Sequence, residues 1–235
     1  MRLSYVVPVH NEEEILEETT TTLVGRLQDF PGSEVLLIEN GSRDSSAEIA
    51  QRLAVDLSDD QTTVRATSCE KGFGNAYRAG IGLSTGELVV LTAADLPFEF
   101  TDLDAVLALD PRPRVAIGSK AHQASNTSVG RTRKWMSEAY RLLRKMLIKL
   151  NVGDSQGTIL IDGELVRDLL PSLRAHDYFV STEILAFAVA RGEEPVEVPI
   201  EYLAQRRTSK VKPLADGWSM TKQLWELRGR LRETG

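Results

Sequence analysis

Leu3-Ser4-Tyr5-Val6-Val7-Pro8-Val9-His10-Asn11-Glu12-Glu13-Glu14 begins as a short apolar run and turns abruptly polar and acidic. Behind it, Ile15, Leu16, Leu23, Val24 and Leu27 recur at helical spacing. The stretch reads as strand, loop, helix. Asn11, three residues before Glu14, predicts a capping-box start, with acidic residues in the first turn where the helix dipole favours them.

The same unit recurs along the first half. Glu34 to Glu39 reads as a buried strand, Asn40-Gly41-Ser42 as a turn and Ser45 to Leu57 as a helix. Thr62 to Thr67, the glycine loop Lys71-Gly72-Phe73-Gly74 and a helix from Ala76 to Leu83 repeat it. Glu87 to Thr92 leads into Ala93-Ala94-Asp95-Leu96-Pro97, followed by a helix from Thr101 to Leu109 and a strand from Arg114 to Gly118. Such alternation predicts an α/β fold, a mostly parallel central sheet with helices on both faces. Ligands of such sheets bind beyond the carboxyl ends of the strands, where these polar loops cluster. The second half changes character: a long helix from Thr132 to Leu150, a strand from Thr158 to Ile161, helices over Glu164 to Leu170 and Ser181 to Arg191, and an alternating strand from Val196 to Leu203. A basic, turn-rich loop, Arg206 to Asp216, follows.

With 235 residues, 42% of them apolar, the chain suits one sizeable domain. Residues 1–119 form its first half, 120–212 its second, and 213–235 a C-terminal amphipathic segment. Met1-Arg2-Leu3-Ser4 runs straight into the first strand, so the expectation is a mature chain without a signal peptide. No run approaches the roughly 18 apolar residues that span a bilayer. Cys69 is the single cysteine, which fits a reducing cytosol and a structural thiol. A net charge of −6 argues against nucleic acid as a partner and confines any phosphate site to a local basic cluster.

On a parallel sheet, Glu12, Asn40, Lys71 and Asp95 converge in one crevice, a set that suits a nucleotide diphosphate. Each alone has a plainer reading: Asn11-Glu12 as a helix cap, Asn40-Gly41 as a turn, the glycines after Lys71 as a tight corner. In the long helix, Trp135, Met136, Ala139, Leu142, Leu143, Met146 and Leu150 form an apolar stripe beside Arg133, Lys134, Arg141, Arg144, Lys145 and Lys149. A basic amphipathic helix either lies on an anionic membrane and guides a lipid phosphate, with Arg131 and Arg133 at its start, or packs on the sheet with a solvated charged face. The C-terminal segment, with Trp218, Trp225, Arg228 and Arg230, repeats the pattern, for docking on a membrane, on a membrane-protein partner or on a second copy.

Four segments in order decide between these readings: Val7-Pro8-Val9-His10-Asn11-Glu12-Glu13, Glu39-Asn40-Gly41-Ser42-Arg43-Asp44, Lys71-Gly72-Phe73-Gly74-Asn75-Ala76 and Ala94-Asp95-Leu96. Together they resemble the nucleotide-binding half of family-two glycosyltransferases of the GT-A fold, whose segments read V-P-x-Y-N-E-E, D-D-G-S-x-D, N-x-G-x-G-x-A and D-A-D-L-Q. The likeness continues through Gly118-Ser119-Lys120, Gly153-Asp154-Ser155-Gln156-Gly157, Glu183-Ile184-Leu185, Glu197-Val198-Pro199-Ile200 and Thr208-Ser209-Lys210. These later pieces are most similar to the branch that moves a hexose to a polyprenyl phosphate.

The resemblance implies an inverting, peripheral enzyme at the cytosolic membrane face, taking a GDP- or UDP-linked sugar and a polyprenyl or dolichyl phosphate. Pro8, His10, Asn11 and Glu12 would line base and ribose, with Ile38, Glu39 and Asn40 beside the base, and Lys71, Ala94 and Asp95 toward ribose and diphosphate. Lys120 takes the place of an arginine near the sugar phosphate. Ser209 and Lys210 match the G-x-S-K loop, with Arg206 and Arg207 near it. Asp95 and Lys210 would act in the transfer. An anionic phosphate acceptor needs no strong base; a hydroxyl acceptor would, and Asp154 and Glu183 are the candidates. Where the family's D-x-D-x-Q holds Mg2+ or Mn2+, this chain has Ala93, Asp95 and Pro97. Asp95 with the substrate diphosphate can recruit the ion, or Lys71, Lys120, Arg206, Arg207 and Lys210 can neutralise the leaving group without it.

Overall fold

The computed structural model describes residues 1–120, 122, 131–201 and 213–233, with the backbone alone at 131–139 and 213–220. In chain order the elements are β1 (Leu3–Val9), α1 (Leu16–Leu27), β2 (Ser33–Glu39), α2 (Ser46–Asp56), β3 (Thr62–Ser68), α3 (Phe73–Leu83), β4 (Leu88–Leu91), α4 (Thr101–Leu107), β5 (Val115–Gly118), α5 (Arg131–Ile148), β6 (Ile159–Asp162), α6 (Gly163–Leu169), α7 (Phe179–Ala190), β7 (Val196–Val198) and α8 (Pro213–Glu233). A 3-10 turn, Leu170–Ser172, follows α6. They group into two compact units, Met1–Leu96 with Thr158–Val180, and Pro97–Gly157 with Ser181–Gly235.

In the first unit the strands run β3-β2-β1-β4-β6, all parallel except β6, which pairs antiparallel with β4. Strand β1 is buried along its whole length, as a central parallel strand must be, which is why its sequence is apolar but for Ser4. Helices α1 and α2 pack on each other, and α3 packs with α6. Right-handed crossovers then place the two pairs on opposite faces. Strand order reverses between β1 and β4, so the switch point, and the crevice beyond the strand ends, lies there. Helix α3 approaches β1 closely because Gly80 has no side chain: a Cβ there would sit 2.2 Å from a Val6 methyl. At the opposite, amino end, the buried Glu34 is accounted for by Ser4 and Thr85 hydroxyls and by Arg65.

In the second unit β5 and β7 pair in parallel, α4 packs on both, and α5 packs against α8. Strand β7 stops at Val198, short of the expected Leu203, because Pro199 supplies no backbone N–H to continue the ladder. The expected pattern on α5 is partly inverted. Arg144, assigned to the charged face, is 2% exposed, while Leu142 and Met146 of the apolar stripe are 57% and 64% exposed. The guanidinium turns inward because it donates to the Val152 carbonyl just beyond the helix end. Among the described residues no helix is long and apolar enough to cross a membrane.

Candidate functional site

The loop after β1 is not the capping box its sequence predicts. Asn11 takes a left-handed φ of 56°, and α1 begins only at Leu16, with no side-chain cap. Asn11 instead ties this loop to the one after β2: its N–H donates to Ser42 Oγ (3.1 Å) and its Oδ1 accepts from the Arg43 N–H (2.8 Å). Glu12 and Glu13 donate backbone N–H bonds to Ser46 Oγ and Asp44 Oδ2. The loop is therefore pinned by its neighbour rather than by its own helix. His10 stands at the end of β1 with its Nδ1 buried and without a hydrogen-bond partner.

At the end of β2, Glu39 accepts from the Ser42 N–H and closes the turn. Asn40 is 4% exposed, and both its backbone N–H and its side-chain Nδ2 donate to the Val9 carbonyl at 3.0 Å. An aspartate here would set a carboxylate oxygen against that carbonyl. We expect Asn40→Asp to lower stability by about 1–3 kcal/mol, read as a fall in melting temperature.

The glycine loop is shaped by contact with residues 175–177. Gly72 has φ 141°, and a Cβ there would lie 2.4 Å from the His176 carbonyl oxygen; at Gly74 it would lie 2.2 Å from that of Ala175. The Gly74 N–H donates to the His176 carbonyl, and His176 Nδ1 lies 2.8 Å from Asn75 Oδ1. Helix α3 accordingly starts at Phe73, three residues before the expected Ala76. Lys71 is exposed, its stem against Gly41. Beside it, Cys69 stays a thiol: burial pushes its pKa up, with Glu39 and Glu70 adding to the effect.

At the end of β4, the Ala94 carbonyl accepts from Thr19 Oγ1 and that of Thr92 from the Tyr77 hydroxyl, so this loop is fixed to α1 and α3. Asp95 is exposed. Tyr178 completes the group. Its ring packs on Phe73, centroids 4.5 Å apart, and its phenol is pushed up by burial and then by the charges of Glu12 and Asp95. The side chain is nonetheless half exposed, and its phenol carries its proton at neutral pH as an ordinary tyrosine does. One end of one sheet thus gathers His10, Asn11, Glu12, Ile38, Glu39, Asn40, Lys71, Ala94 and Asp95, with Pro8 buried in β1 beside Ile38.

The second unit holds the other candidates. Lys120 Nζ lies 5.6 Å from the Phe98 ring centroid. Asp154 is half-buried, and its Oδ1 accepts from the Gln156 N–H. Glu183 is 1% exposed and ion-paired with Arg230. Arg131 and Arg133 lie in the first turn of α5. Arg206, Arg207, Ser209 and Lys210 fall outside the described residues.

The sequence profile of glycosyl transferase family 2 matches residues 4–169, which include the loops at the ends of β1, β2 and β4. The chain belongs to that family. As a glycosyl transferase it is 28% identical over 214 residues to a dolichyl-phosphate beta-glucosyltransferase of Trichomonas vaginalis, covering 85% of this chain and 63% of that one. It is 27% identical to the human dolichyl-phosphate beta-glucosyltransferase, covering 97% and 75%. Glucosyl-3-phosphoglycerate synthase of Mycobacterium tuberculosis, solved with Mn2+ and uridine-diphosphate-glucose, superposes with a TM-score of 0.67 at 18% identity, over 98% of this chain and 79% of that one. The last likeness bears out the expected GT-A fold.

The described residues do not make a metal site from protein ligands alone. Ala93 and Pro97 carry no side-chain oxygen, which leaves Asp95 alone of the expected three. Among the described residues no three His, Cys, Asp or Glu side chains are grouped to hold an ion. A hard cation binds through one or two carboxylates together with substrate phosphates and water, so Asp95 would hold one only with the donor diphosphate in place. Titrating the protein with Mn2+ alone should give no heat of binding. Sequence reasoning missed Tyr178, because nothing in the order of residues shows that segment 175–178 returns to the glycine loop. It also placed Arg144 on the wrong side of α5; the alternation of Leu142, Leu143 and Arg144 carries no sign of the inward turn.

Proposed function

We propose that this glycosyl transferase moves a hexose from a GDP- or UDP-linked sugar to a polyprenyl phosphate at the cytosolic membrane surface, with inversion at the anomeric carbon. The observation that carries the reading is that relatives aligning over 85% and 97% of the chain are named for transfer of glucose involving dolichyl phosphate. The geometry of the first unit supports the donor half of it. Backbone-pinned loops at the ends of β1, β2 and β4 form a preformed pocket floor for base and ribose, with Lys71 and the proton-bearing Tyr178 as donors to phosphate oxygens. The acceptor phosphate is already anionic, so the transfer needs alignment and leaving-group stabilisation rather than a base. Lys120, Arg131, Arg133, Arg206, Arg207, Ser209 and Lys210 supply the positive and hydrogen-bonding groups in this reading.

Membrane docking rests on exposed apolar side chains among basic ones. Leu142 and Met146, one helical turn apart on α5, stand with exposed Lys145 and Lys149; on α8 Trp225 is 58% exposed, with the Arg228 guanidinium 5.3 Å from its ring centroid. Met146→Glu should weaken binding to anionic phospholipid vesicles about tenfold, the equivalent of losing one buried side chain. Flotation assays measure it. The donor half is tested by calorimetry with GDP- and UDP-linked hexoses, each with Mg2+, Mn2+ or chelator. Saturable binding of one class is expected; absence of binding under every condition would overturn the proposal.

A further inference from the structure

The loop Val152–Gly157 is held from both sides by groups whose chemistry the transfer reaction has not so far used. Arg144 on α5 is buried at 2% exposure, and its Nη2 donates to the Val152 carbonyl at 2.8 Å and reaches that of Gly153 at 3.5 Å. Its Nε and Nη1 are buried with no hydrogen-bond partner. From β7, Glu197 uses both oxygens on the same two peptide units: Oε2 accepts from the Gly153 N–H (3.0 Å) and Oε1 from the Asp154 N–H (3.4 Å). Farther along, Thr182 Oγ1 donates to Ser155 Oγ at 3.2 Å. At Gly157 a Cβ would lie 1.9 Å from the Gly118 carbonyl oxygen, so the end of the loop passes directly against β5.

The guanidinium is taken out of water with two donors unpaired and its central carbon 5.2 Å from the Tyr140 ring centroid, so the hydrogen bonds it makes go to this one loop. Burial pulls the Arg144 pKa down, opposed first by Tyr140 and then by Asp154 and Glu197. What the pair does achieve is to fix two successive peptide units by their carbonyls and their N–H groups at once. Asp154 and the exposed Gln156 are thereby presented on a backbone with little freedom.

We infer that Arg144 and Glu197 are positioning residues of the transfer, setting the Val152–Gln156 loop against the acceptor. The inference rests on the proposed acceptor role of residues 120–212. It predicts a split between the two substrates. Arg144→Met, neutral and of similar length, raises the KM for a short polyprenyl phosphate or lowers kcat at least tenfold, and leaves the donor Kd unchanged within twofold. Arg144→Lys, which can still donate to Val152, recovers part of the loss. Glu197→Gln, which can accept from only one of the two N–H groups, falls between.

Amide exchange reads the clamp without any acceptor: the Gly153 and Asp154 N–H groups are protected in the parent chain and lose protection in both variants. Parent-like acceptor kinetics in Arg144→Met and Glu197→Gln would overturn the inference, as would unchanged exchange. A loss of activity that only follows a fall in melting temperature and takes donor affinity with it would do the same, because it marks a merely structural role. Asp154→Ala and Gln156→Ala separate the two layers. If either impairs acceptor use while the clamp variants do not, only the clamp is wrong; if neither does, the acceptor role of this loop falls and the inference falls with it.

Discussion

Arg230→Met is expected to lower the unfolding free energy by about 3 kcal/mol, the effect of removing one partner of a buried ion pair. Glu183, on α7, is 1% exposed and Arg230, on α8, is its ion-pair partner; the same guanidinium lies 5.6 Å from the Phe187 ring centroid. The methionine keeps much of the packing on Phe187 and removes the charge, so the loss isolates electrostatics. For a chain of this size, 3 kcal/mol corresponds to roughly 10 °C in melting temperature. Replacing both partners tests the cause: Glu183→Leu combined with Arg230→Met should regain most of the stability, since an apolar pair avoids the desolvation of either ion. A single variant that melts with the parent would contradict the account. The pair also bears on Glu183 as a catalytic base, because activity lost in its variants should follow stability.

Gly74→Ala is expected to weaken donor binding at least tenfold and to cost about 1–3 kcal/mol of stability. The added carbon meets backbone on two sides, the Ala175 carbonyl oxygen at 2.2 Å and that of Asp177 at 2.9 Å. Helix α3 cannot retreat, because Gly80 already abuts Val6 and the Tyr77 hydroxyl is bonded to the Thr92 carbonyl. Residues 175–178 must move instead, taking Tyr178 away from Glu12 and Asp95. Gly229→Ala on α8 is the control, since nothing lies within 4 Å of that position. It should be neutral or slightly stabilising, as a helix-interior glycine replaced by alanine normally is. Calorimetry and thermal melts on the two variants give the comparison, and donor affinity unchanged in Gly74→Ala would mean that the crevice does not depend on this contact.

What the sequence makes legible follows from how each feature is stabilised. Strand β1 is readable to the residue because a parallel strand covered on both faces is mostly apolar, and Leu3–Val9, polar only at Ser4, is that run. The loops at the strand ends are readable for the same reason, as the polar interruptions between such runs. Features that depend on distant partners are not. Asn11 has the sequence of a cap and the structure of a loop-to-loop tie, because Ser42 and Arg43 offer it partners 31 and 32 residues away. Arg144 belongs to the charged face by composition and to the interior by its bond to Val152. Tyr178 joins the site only because residues 175–177 pack against two glycines a hundred positions earlier in the chain.

The most direct test of the proposed reaction is to incubate the purified chain with UDP-linked and GDP-linked hexoses in turn, each with a short polyprenyl phosphate or with 3-phosphoglycerate, and to weigh the products by mass spectrometry. The account predicts a lipid heavier by one hexose residue, formed from one of the two donor classes, and no change in phosphoglycerate. A lipid of unchanged mass, with hexose transferred to phosphoglycerate or with the nucleotide sugar left intact, would contradict it.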